Sequence, residues 1–284
     1  MEKEIISSSK NEKIKTISAL LKSKKARDEH GAFVIEGIRL FRDTLRTAPE
    51  YLESVFVSES FLIKSGDINT NINQIKDSVP IYTVKDSVFD GISDTVTAQG
   101  VLAIVRKPEY TLKNFLNGTY FFRDCQKSES GGKSSGILQD KARFLILENI
   151  QDPGNLGTML RTAEAAGMSA IIMSPDCTDI FSPKVVRSSM GSIFRMPFIY
   201  CGDFLEALGK IKEEKVKIYA AYLRGGISYR EAEFGDRYAI LIGNEGNGLT
   251  DAAINEADQR IFIPMAGEIE SLNAAVAAAI LMYK

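Results

Sequence analysis

Residues that build metal centres and covalent cross-links are scarce in this chain. Among 284 residues it has no tryptophan, one histidine (His30) and three cysteines, Cys125, Cys177 and Cys201. Cysteines so few and so widely spaced argue against a disulfide framework and against a zinc cluster. We therefore expect no metal. His30 lies in a segment, residues 28–31, that we expect to be a turn remote from the chemistry.

Long apolar runs are also missing. The longest, residues 274–283, is too short to span a bilayer. The first residues lack the charged and then apolar pattern of a signal peptide. We therefore expect a cytoplasmic protein with no membrane partner.

The net charge of −2 is not that of a general nucleic-acid binder, but basic residues are clustered locally. Seven of them lie between Lys10 and Arg27, against Glu12 alone. Such a cluster can neutralise RNA phosphates, which makes Lys22, Lys24, Lys25 and Arg27 candidate RNA-binding residues. On its own the cluster is more typical of a solvated helix surface, and both interpretations stay open at this point.

The length predicts two domains. We place a first domain at 1–107, a linker with a flexible insertion at 108–142, and a second domain at 143–284. The insertion, about residues 126–139, is rich in serine, glycine and lysine and offers little apolar surface to order it. The first domain is predicted to be a small α/β unit with a helix at 37–45; its predicted strands are 33–35, 55–57, 81–84 and 101–105.

The second domain alternates short apolar strands with helices, which predicts an α/β fold with a mostly parallel sheet covered on both faces. Ligands of such sheets lie at the carboxyl ends of the strands. The predicted strands are 144–147, 170–173, 218–221, 238–242 and 260–263, and the predicted helices are 156–166, 204–212 and one starting at 272.

Three loops at those strand ends carry unusual residues. The first, 148–161, contains an Asp-Pro-Gly turn, Asn155 as a predicted helix N-cap, and Arg161 beside the buried stripe of the helix. The second, 241–249, has three glycines that allow positive φ and close approach of a ligand, and a carboxylate, Glu245, that suits a cationic or hydroxyl-bearing ligand. It is neither a P-loop nor a dinucleotide fingerprint.

The third loop, 263–273, opens an alanine-rich helix that is apolar nearly all round and that we expect to be buried. Ser271 is the expected N-cap of that helix. Asn273 is expected to be a buried amide that needs hydrogen-bond partners.

Together these motifs resemble those of the SpoU/TrmH family of RNA methyltransferases in the SPOUT superfamily. The resemblance rests on Asn155 and Arg161, on Gly243-Asn244-Glu245-Gly246-x-Gly248-Leu249, and on Ile263-Pro264-Met265-x-Gly267-x-x-x-Ser271-Leu272-Asn273. It covers residues 143–284, including a family-like stretch at 182–197. The N-terminal unit is similar to the substrate-binding domain of one branch.

The resemblance implies a deep trefoil knot in the C-terminal domain, a homodimer formed in part by the knot helix, and S-adenosylmethionine as cofactor. It implies methyl transfer to a ribose 2′-hydroxyl of RNA, with ribosomal RNA favoured by the two-domain layout. Transfer RNA, and a non-catalytic RNA-binding or assembly protein of the same fold, are the alternatives. The implied cofactor-binding residues are Gly243, Asn244, Gly248, Ile263, Met265, Ser271 and Leu272.

The implied catalytic residues are Asn155, Arg161, Glu245, Ser271 and Asn273. The family proposal makes Arg161 the general base. A guanidinium holds its proton strongly, so we favour an Arg161 that grips the phosphate beside the target ribose in a bidentate manner, with late proton loss to phosphate or water. Lys184 and Arg187 follow a Ser-Pro helix start, and they are either a phosphate-binding edge or an ordinary surface helix.

Overall fold

The computed structural model describes residues 5–64, 79–93, 99–116 and 141–284. It divides into two compact units. The first comprises Met1–Glu109 and Asp179–Phe194, and the second comprises Tyr110–Thr178 and Arg195–Lys284.

The predicted domain limits at 107 and 143 stay a prediction. The segment Asp179–Phe194, which that prediction assigned to the catalytic domain, packs within the first unit. The predicted flexible insertion at 126–139 lies outside the described residues.

Helices and strands alternate along most of the chain. The first half of the chain contains β1 (Ile5–Ile6), α1 (Glu12–Lys22), α2 (Lys24–His30), β2 (Ala32–Glu36), α3 (Ile38–Thr47), a 3-10 turn (Pro49–Tyr51), β3 (Leu52–Ser58), α4 (Glu59–Lys64), β4 (Ile81–Val84), α5 (Asp86–Asp90), β5 (Val101–Arg106) and α6 (Leu112–Leu116). The second half contains β6 (Ala142–Leu147), α7 (Pro153–Ala165), β7 (Ala170–Met173), α8 (Pro183–Ser188), a 3-10 turn (Ser192–Phe194), β8 (Phe198–Tyr200), α9 (Phe204–Glu213), β9 (Lys217–Ala221), β10 (Ile227–Ser228), β11 (Arg237–Ile242), α10 (Asp251–Glu256), β12 (Gln259–Phe262) and α11 (Ala274–Met282).

The first unit is built on a five-stranded mixed sheet in the order β1-β4-β3-β5-β2. Strand β5 is antiparallel to both of its neighbours, and the other pairs are parallel. Alternate residues of β2 point to opposite faces. Ala32 and Val34 pack in the core that α1 covers, whereas Phe33 contacts the rings of Phe181 and Phe194. The segment 179–194 therefore covers the face of the sheet opposite α1.

An ion pair inside the first unit fixes the start of that segment. Arg27 is 4% exposed, and its Nη2 lies 2.6 Å from Oδ2 of Asp179. Its guanidinium also donates to the carbonyl of Leu20. A buried charge needs such partners, so Arg27 serves the packing of this unit and we leave it out of the RNA-binding surface proposed below.

The second unit is built on a seven-stranded sheet in the order β10-β12-β9-β11-β6-β7-β8, and every pair of neighbours is parallel. The sequence predicted this α/β architecture, and it is confirmed. β6 is buried from Phe144 to Leu147, as expected for a strand covered on both faces. The trefoil knot stays a prediction.

The C-terminal helix differs from its prediction. It begins at Ala274 rather than Leu272, and it is buried on one side instead of all round. Ala274, Ala275 and Ala278 pack inward, while Val276 is 48% exposed. Small side chains on the inner side let α11 pack closely against α7.

Candidate active site

The carboxyl ends of β6 and β11 lie side by side in the second unit. Leu147 pairs with Ile242, and the backbone N–H of Glu148 donates to the carbonyl of Ile242 across 2.9 Å. The first two motif loops therefore leave the sheet from neighbouring positions. This is the edge where parallel sheets bind their ligands.

Helix α7 starts earlier than predicted, and its N-cap is different. The cap is Asp152, whose Oδ1 accepts from the backbone N–H of Asn155 at 2.8 Å, and the helix begins at Pro153. The prediction of Asn155 as N-cap was wrong because an aspartate before a proline competes for the same position. The side chain of Asn155 is consequently available for contacts with other loops.

The glycine-rich loop is closed by its own backbone. Asn244 and Gly248 exchange two backbone hydrogen bonds of 3.0 and 2.9 Å. Oδ1 of Asn244 accepts from the backbone of Gly246 and Asn247, and its Nδ2 donates to the carbonyl of Asn149. This side chain shapes the loop and ties it to the first motif.

Two of the glycines in this loop are required for different reasons. Gly248 has φ +70°, in the left-handed region, with open space beside its Cα. A Cβ on Gly243 would fall within 3.0 Å of the backbone of Gly248 and Leu249. The sequence predicted that the glycines of this loop let a ligand approach the backbone closely. At Gly243 the group that approaches closely is the backbone of the loop itself.

Glu245 bridges the second loop to the start of α7. Its carboxylate accepts from the backbone N–H of Gln151 and of Asp152, both at 3.1 Å, and from Nδ2 of Asn155 at 2.9 Å. Burial raises the pKa of Glu245, but the bonds from Asn155 and from the two backbone groups outweigh it, and the pKa lies below its ordinary value. A charged Glu245 thus holds two motifs together.

Asn273 joins the third motif to the same chain of contacts. Its Nδ2 donates to Oδ1 of Asn155 at 2.9 Å, while its Oδ1 accepts from the backbone of Ala275 and Val276. Asn273 is therefore the N-cap of α11, and the prediction of Ser271 was wrong. Asn273 is also exposed rather than a buried amide. The path Asn273–Asn155–Glu245 connects one residue from each motif.

Arg161 lies on the exposed side of α7, beside the buried stripe that includes Leu156, Met159 and Leu160. This position was predicted and is confirmed. At a rise of about 1.5 Å per residue, Arg161 lies about 9 Å along the helix axis from Asn155. Arg161 and Asn155 are therefore carried by one helix, less than two turns apart.

The segment 263–272 differs from the other two motif loops in the hydrogen bonding of its backbone. Among the described residues, none forms a hydrogen bond with the backbone of this segment. Ile263, Met265 and Leu272 are half-buried, and Ser271 is exposed. Polar backbone groups beside apolar side chains form a donor and acceptor set that suits the adenine ring of S-adenosylmethionine. The residues present fit that cofactor.

Two supporting residues, Glu148 and Asn149, were missed from the sequence. Asn149 has φ +54°, which asparagine tolerates, and its backbone N–H donates to Oγ of Ser174. The buried carboxylate of Glu148 accepts from the backbone N–H of Thr250, the N-cap of α10, and from its hydroxyl. A carboxylate and an asparagine directly after a buried strand were the signals available.

The remaining predicted residues lie in the first unit. Lys22, Lys24 and Lys25 are exposed on α1 and α2, and Lys184 is exposed on α8. Arg187, on the same helix, is half-buried. His30, expected in a turn, is the last residue of α2.

Two kinds of feature are absent from the described ranges of the chain. These ranges contain no group of three or more histidine, cysteine, aspartate or glutamate side chains arranged to hold a metal ion. They also contain no helix with the length and apolar character needed to cross a membrane.

Comparison with known proteins places the chain in a family. Residues 142–283 match the SpoU rRNA Methylase family, and residues 11–103 match the MRM3-like substrate binding domain. The 23S rRNA (guanosine(2553)-2′-O)-methyltransferase RlmP of Bacillus subtilis (strain 168) is 32% identical over 98% of this chain and 97% of its own length.

A solved structure agrees with this assignment. The AdoMet-bound rRNA methyltransferase from Sinorhizobium meliloti superposes with a TM-score of 0.79 at 27% identity, covering 99% of this chain and 96% of that one. The chain belongs to the SpoU rRNA methylase family, whose members are S-adenosylmethionine-dependent RNA methyltransferases.

Proposed function

We propose that this protein methylates a ribose 2′-hydroxyl of ribosomal RNA, and that the three motif loops of the second unit form the active site. The observation that carries the proposal is the hydrogen-bonded path Asn273–Asn155–Glu245. It joins side chains that are 118 and 90 residues apart in sequence at the edge where a parallel sheet binds ligands.

S-adenosylmethionine supplies an electrophilic methyl group, so the chain itself has to position two reactants and manage one proton. The backbone of 263–272, with Ile263, Met265 and Leu272, would hold the cofactor. Gly243, Asn244 and Gly248 would keep the adjoining loop in shape, and Ser271 would border the pocket. No metal is required in this scheme.

Asn155 and Glu245 would orient the target ribose, because their amide and carboxylate are already fixed by the hydrogen bond between them. Asn273 would hold Asn155 in that orientation. Arg161 would bind the phosphate next to that ribose through two parallel N–H groups. The proton of the 2′-hydroxyl would then pass late in the reaction to phosphate or water.

The assembly and location are further parts of the proposal. Val276 of α11 and Tyr283, its C-cap, are 48% and 65% exposed, and a second copy of the chain would cover them. Exposed apolar side chains clustered on one helix are typical of such an interface. We propose a homodimer that acts on RNA in the cytoplasm.

The reaction is tested with purified protein, S-adenosylmethionine and an unmodified transcript of B. subtilis 23S ribosomal RNA. We expect stoichiometric cofactor binding by calorimetry and one new 2′-O-methyl group by nucleotide mapping. Absence of cofactor binding by folded protein would leave only a non-catalytic RNA-binding role. If only transfer RNA were methylated, transfer RNA would be the substrate in place of ribosomal RNA.

The role of Arg161 is tested by Arg161→Lys. A lysine keeps the charge but not the bidentate geometry, so we expect turnover to fall about a hundredfold or more with cofactor affinity unchanged. Arg237→Lys, the same change in a residue at the start of β11, is the matched control and should behave like wild type. Near-normal turnover of Arg161→Lys contradicts both the phosphate and the base roles.

A further inference from the structure

Helix α3 of the first unit carries three exposed arginines on one face. Arg39, Arg42 and Arg46 are spaced by three and four residues, which places them in one row. Leu40 and Phe41 of the same helix are buried. The row was not among the basic residues predicted to bind RNA, which came from the lysine-rich stretch before Arg27.

The face of the sheet that α3 covers follows from topology. β1, β3 and β4 are parallel, and β5 is antiparallel to both β3 and β2, so β2 also runs parallel to β3. The chain crosses from β1 to β2 through α1 and returns from β2 to β3 through α3. Because parallel crossovers are right-handed, opposite directions of travel put α1 and α3 on opposite faces.

Packing agrees with this topology. The core that α1 covers contains Ile14, Ile17 and Leu20, whereas the buried Leu40 and Phe41 of α3 lie outside it. The segment 179–194 also covers the face opposite α1, since Phe33 contacts Phe181 at 4.9 Å between ring centroids. Helices α3 and α8 therefore share one face of the sheet, and Lys184 and Arg187 of α8 lie on the same side of the sheet as the arginine row.

Charge alone does not distinguish the two faces. Helix α1 has Lys13, Lys15 and Lys22 against Glu12, and α3 has its three arginines against Asp43; each helix has a net charge of +2 (three minus one). Each also has one internal ion pair, Lys15 with Glu12 and Arg46 with Asp43.

The chemistry of the side chains does distinguish them. Lys13 lies over the ring of Tyr82 at 4.8 Å, so one of the three α1 cations contacts an aromatic ring. On α3 the cations are guanidinium groups, which bind phosphate in a bidentate manner.

We propose that the α3 face, formed by Arg39, Arg42 and Arg46 with Lys184 and Arg187, is the surface on which the first unit holds the RNA backbone. The lysines of α1 are then a solvated surface. This inference rests on the proposed function, and it goes beyond it by choosing between two basic faces of the same sheet.

The test compares two triple variants with the same loss of charge on exposed helix positions. These are Arg39→Gln/Arg42→Gln/Arg46→Gln and Lys13→Gln/Lys15→Gln/Lys22→Gln; glutamine is a good helix former, so both should fold. Binding of the 23S ribosomal RNA transcript is measured over a range of salt concentrations without cofactor. We expect the triple glutamine variant of α3 to bind RNA at least about tenfold more weakly and to have a salt slope lower by about 2. The triple glutamine variant of α1 should change RNA affinity less than about threefold.

A third variant, Arg39→Lys/Arg42→Lys/Arg46→Lys, separates charge from helix damage. It should keep the salt slope of the wild type, because the number of cations is unchanged. If the salt slope of this lysine variant were as low as that of the triple glutamine variant of α3, the proposal would be overturned. Equal effects of the α1 and α3 glutamine triples, or an intact affinity in the α3 triple, would also overturn it.

Methyl transfer and calorimetric cofactor binding, measured on the same proteins, keep the two proposals apart. If the wild type transfers no methyl group to RNA but loses RNA affinity in the α3 triple, the proposed function fails and the surface stands. If the wild type is active and the α3 triple leaves KM for RNA unchanged, the surface fails and the function stands.

Discussion

Two loops at the edge of the seven-stranded sheet differ in how their backbones are satisfied. The glycine-rich loop around Gly243 closes on itself through paired bonds between Asn244 and Gly248, and Glu245 ties it to α7. The segment 263–272 has no comparable bonds among the described residues. The glycine-rich loop is a preformed scaffold, and the segment 263–272 has polar groups that a ligand can satisfy. Each role makes the loops respond differently to mutation, pH and ligand.

The largest effect is expected from Gly243→Ala. Its Cβ would fall within 3.0 Å of the backbone of Gly248 and Leu249, so the loop has to open and its bonds to α7 are lost. We expect a loss of about 2–4 kcal/mol in the free energy of unfolding, measured by denaturant titration, and loss of methyl transfer.

Gly246→Ala is the matched control in the same loop. A Cβ there would lie 3.5 Å from Oδ1 of Asn244, an ordinary contact, and the backbone is not in the left-handed region. Its stability should stay within about 0.5 kcal/mol of wild type. Equal effects of the two alanines would show that the scaffold role of Gly243 is mistaken.

A smaller effect is expected from Glu245→Gln, and it depends on pH. The pKa of Glu245 is lower in the folded protein than its ordinary value of 4.5. The carboxylate therefore stabilises the fold fully above pH about 4.5, and this contribution is lost as the pH falls through the lowered pKa. The difference in unfolding free energy between wild type and variant should shrink below that pH. A difference independent of pH would contradict the bridging role.

The smallest effect concerns the segment 263–272, and amide hydrogen exchange measures it. Bound S-adenosylmethionine should slow exchange in 263–272, because those N–H groups gain partners, and should change it little in 244–248. Gly267→Ala, which adds a methyl group where nothing lies within 4 Å, should leave stability unaltered in the absence of ligand. Equal protection of both loops would remove the distinction between them.

Much of this site could be predicted because buried strands and glycine turns have local signatures. The strands around Phe144 and Ile240 and the buried stripe of α7 follow from apolar spacing alone. Both N-caps were misplaced because more than one suitable polar residue stood near each helix start, Asp152 and Asn155 in one case and Ser271 and Asn273 in the other. Only tertiary contacts decide between such candidates.

The first unit was harder to predict for a related reason. Arg27 belongs to a basic cluster in the sequence, and only its long-range partner, Asp179, shows that it is buried. The arginine row of α3 was masked by the higher density of lysines upstream. Sequence spacing reports which residues share a helix face, but not which face of a sheet that helix covers.

The segment 179–194 has a consequence for how the protein is made. The rings of Phe181 and Phe194 cover Phe33, so the first unit cannot complete its core until the ribosome has synthesised residue 194. By then β6 and β7 of the second unit are already in the nascent chain. The order of maturation is thus not the usual order of N-terminal domain first. For the same reason, cutting the chain near residue 107 leaves the N-terminal piece without the rings of Phe181 and Phe194 that complete its core.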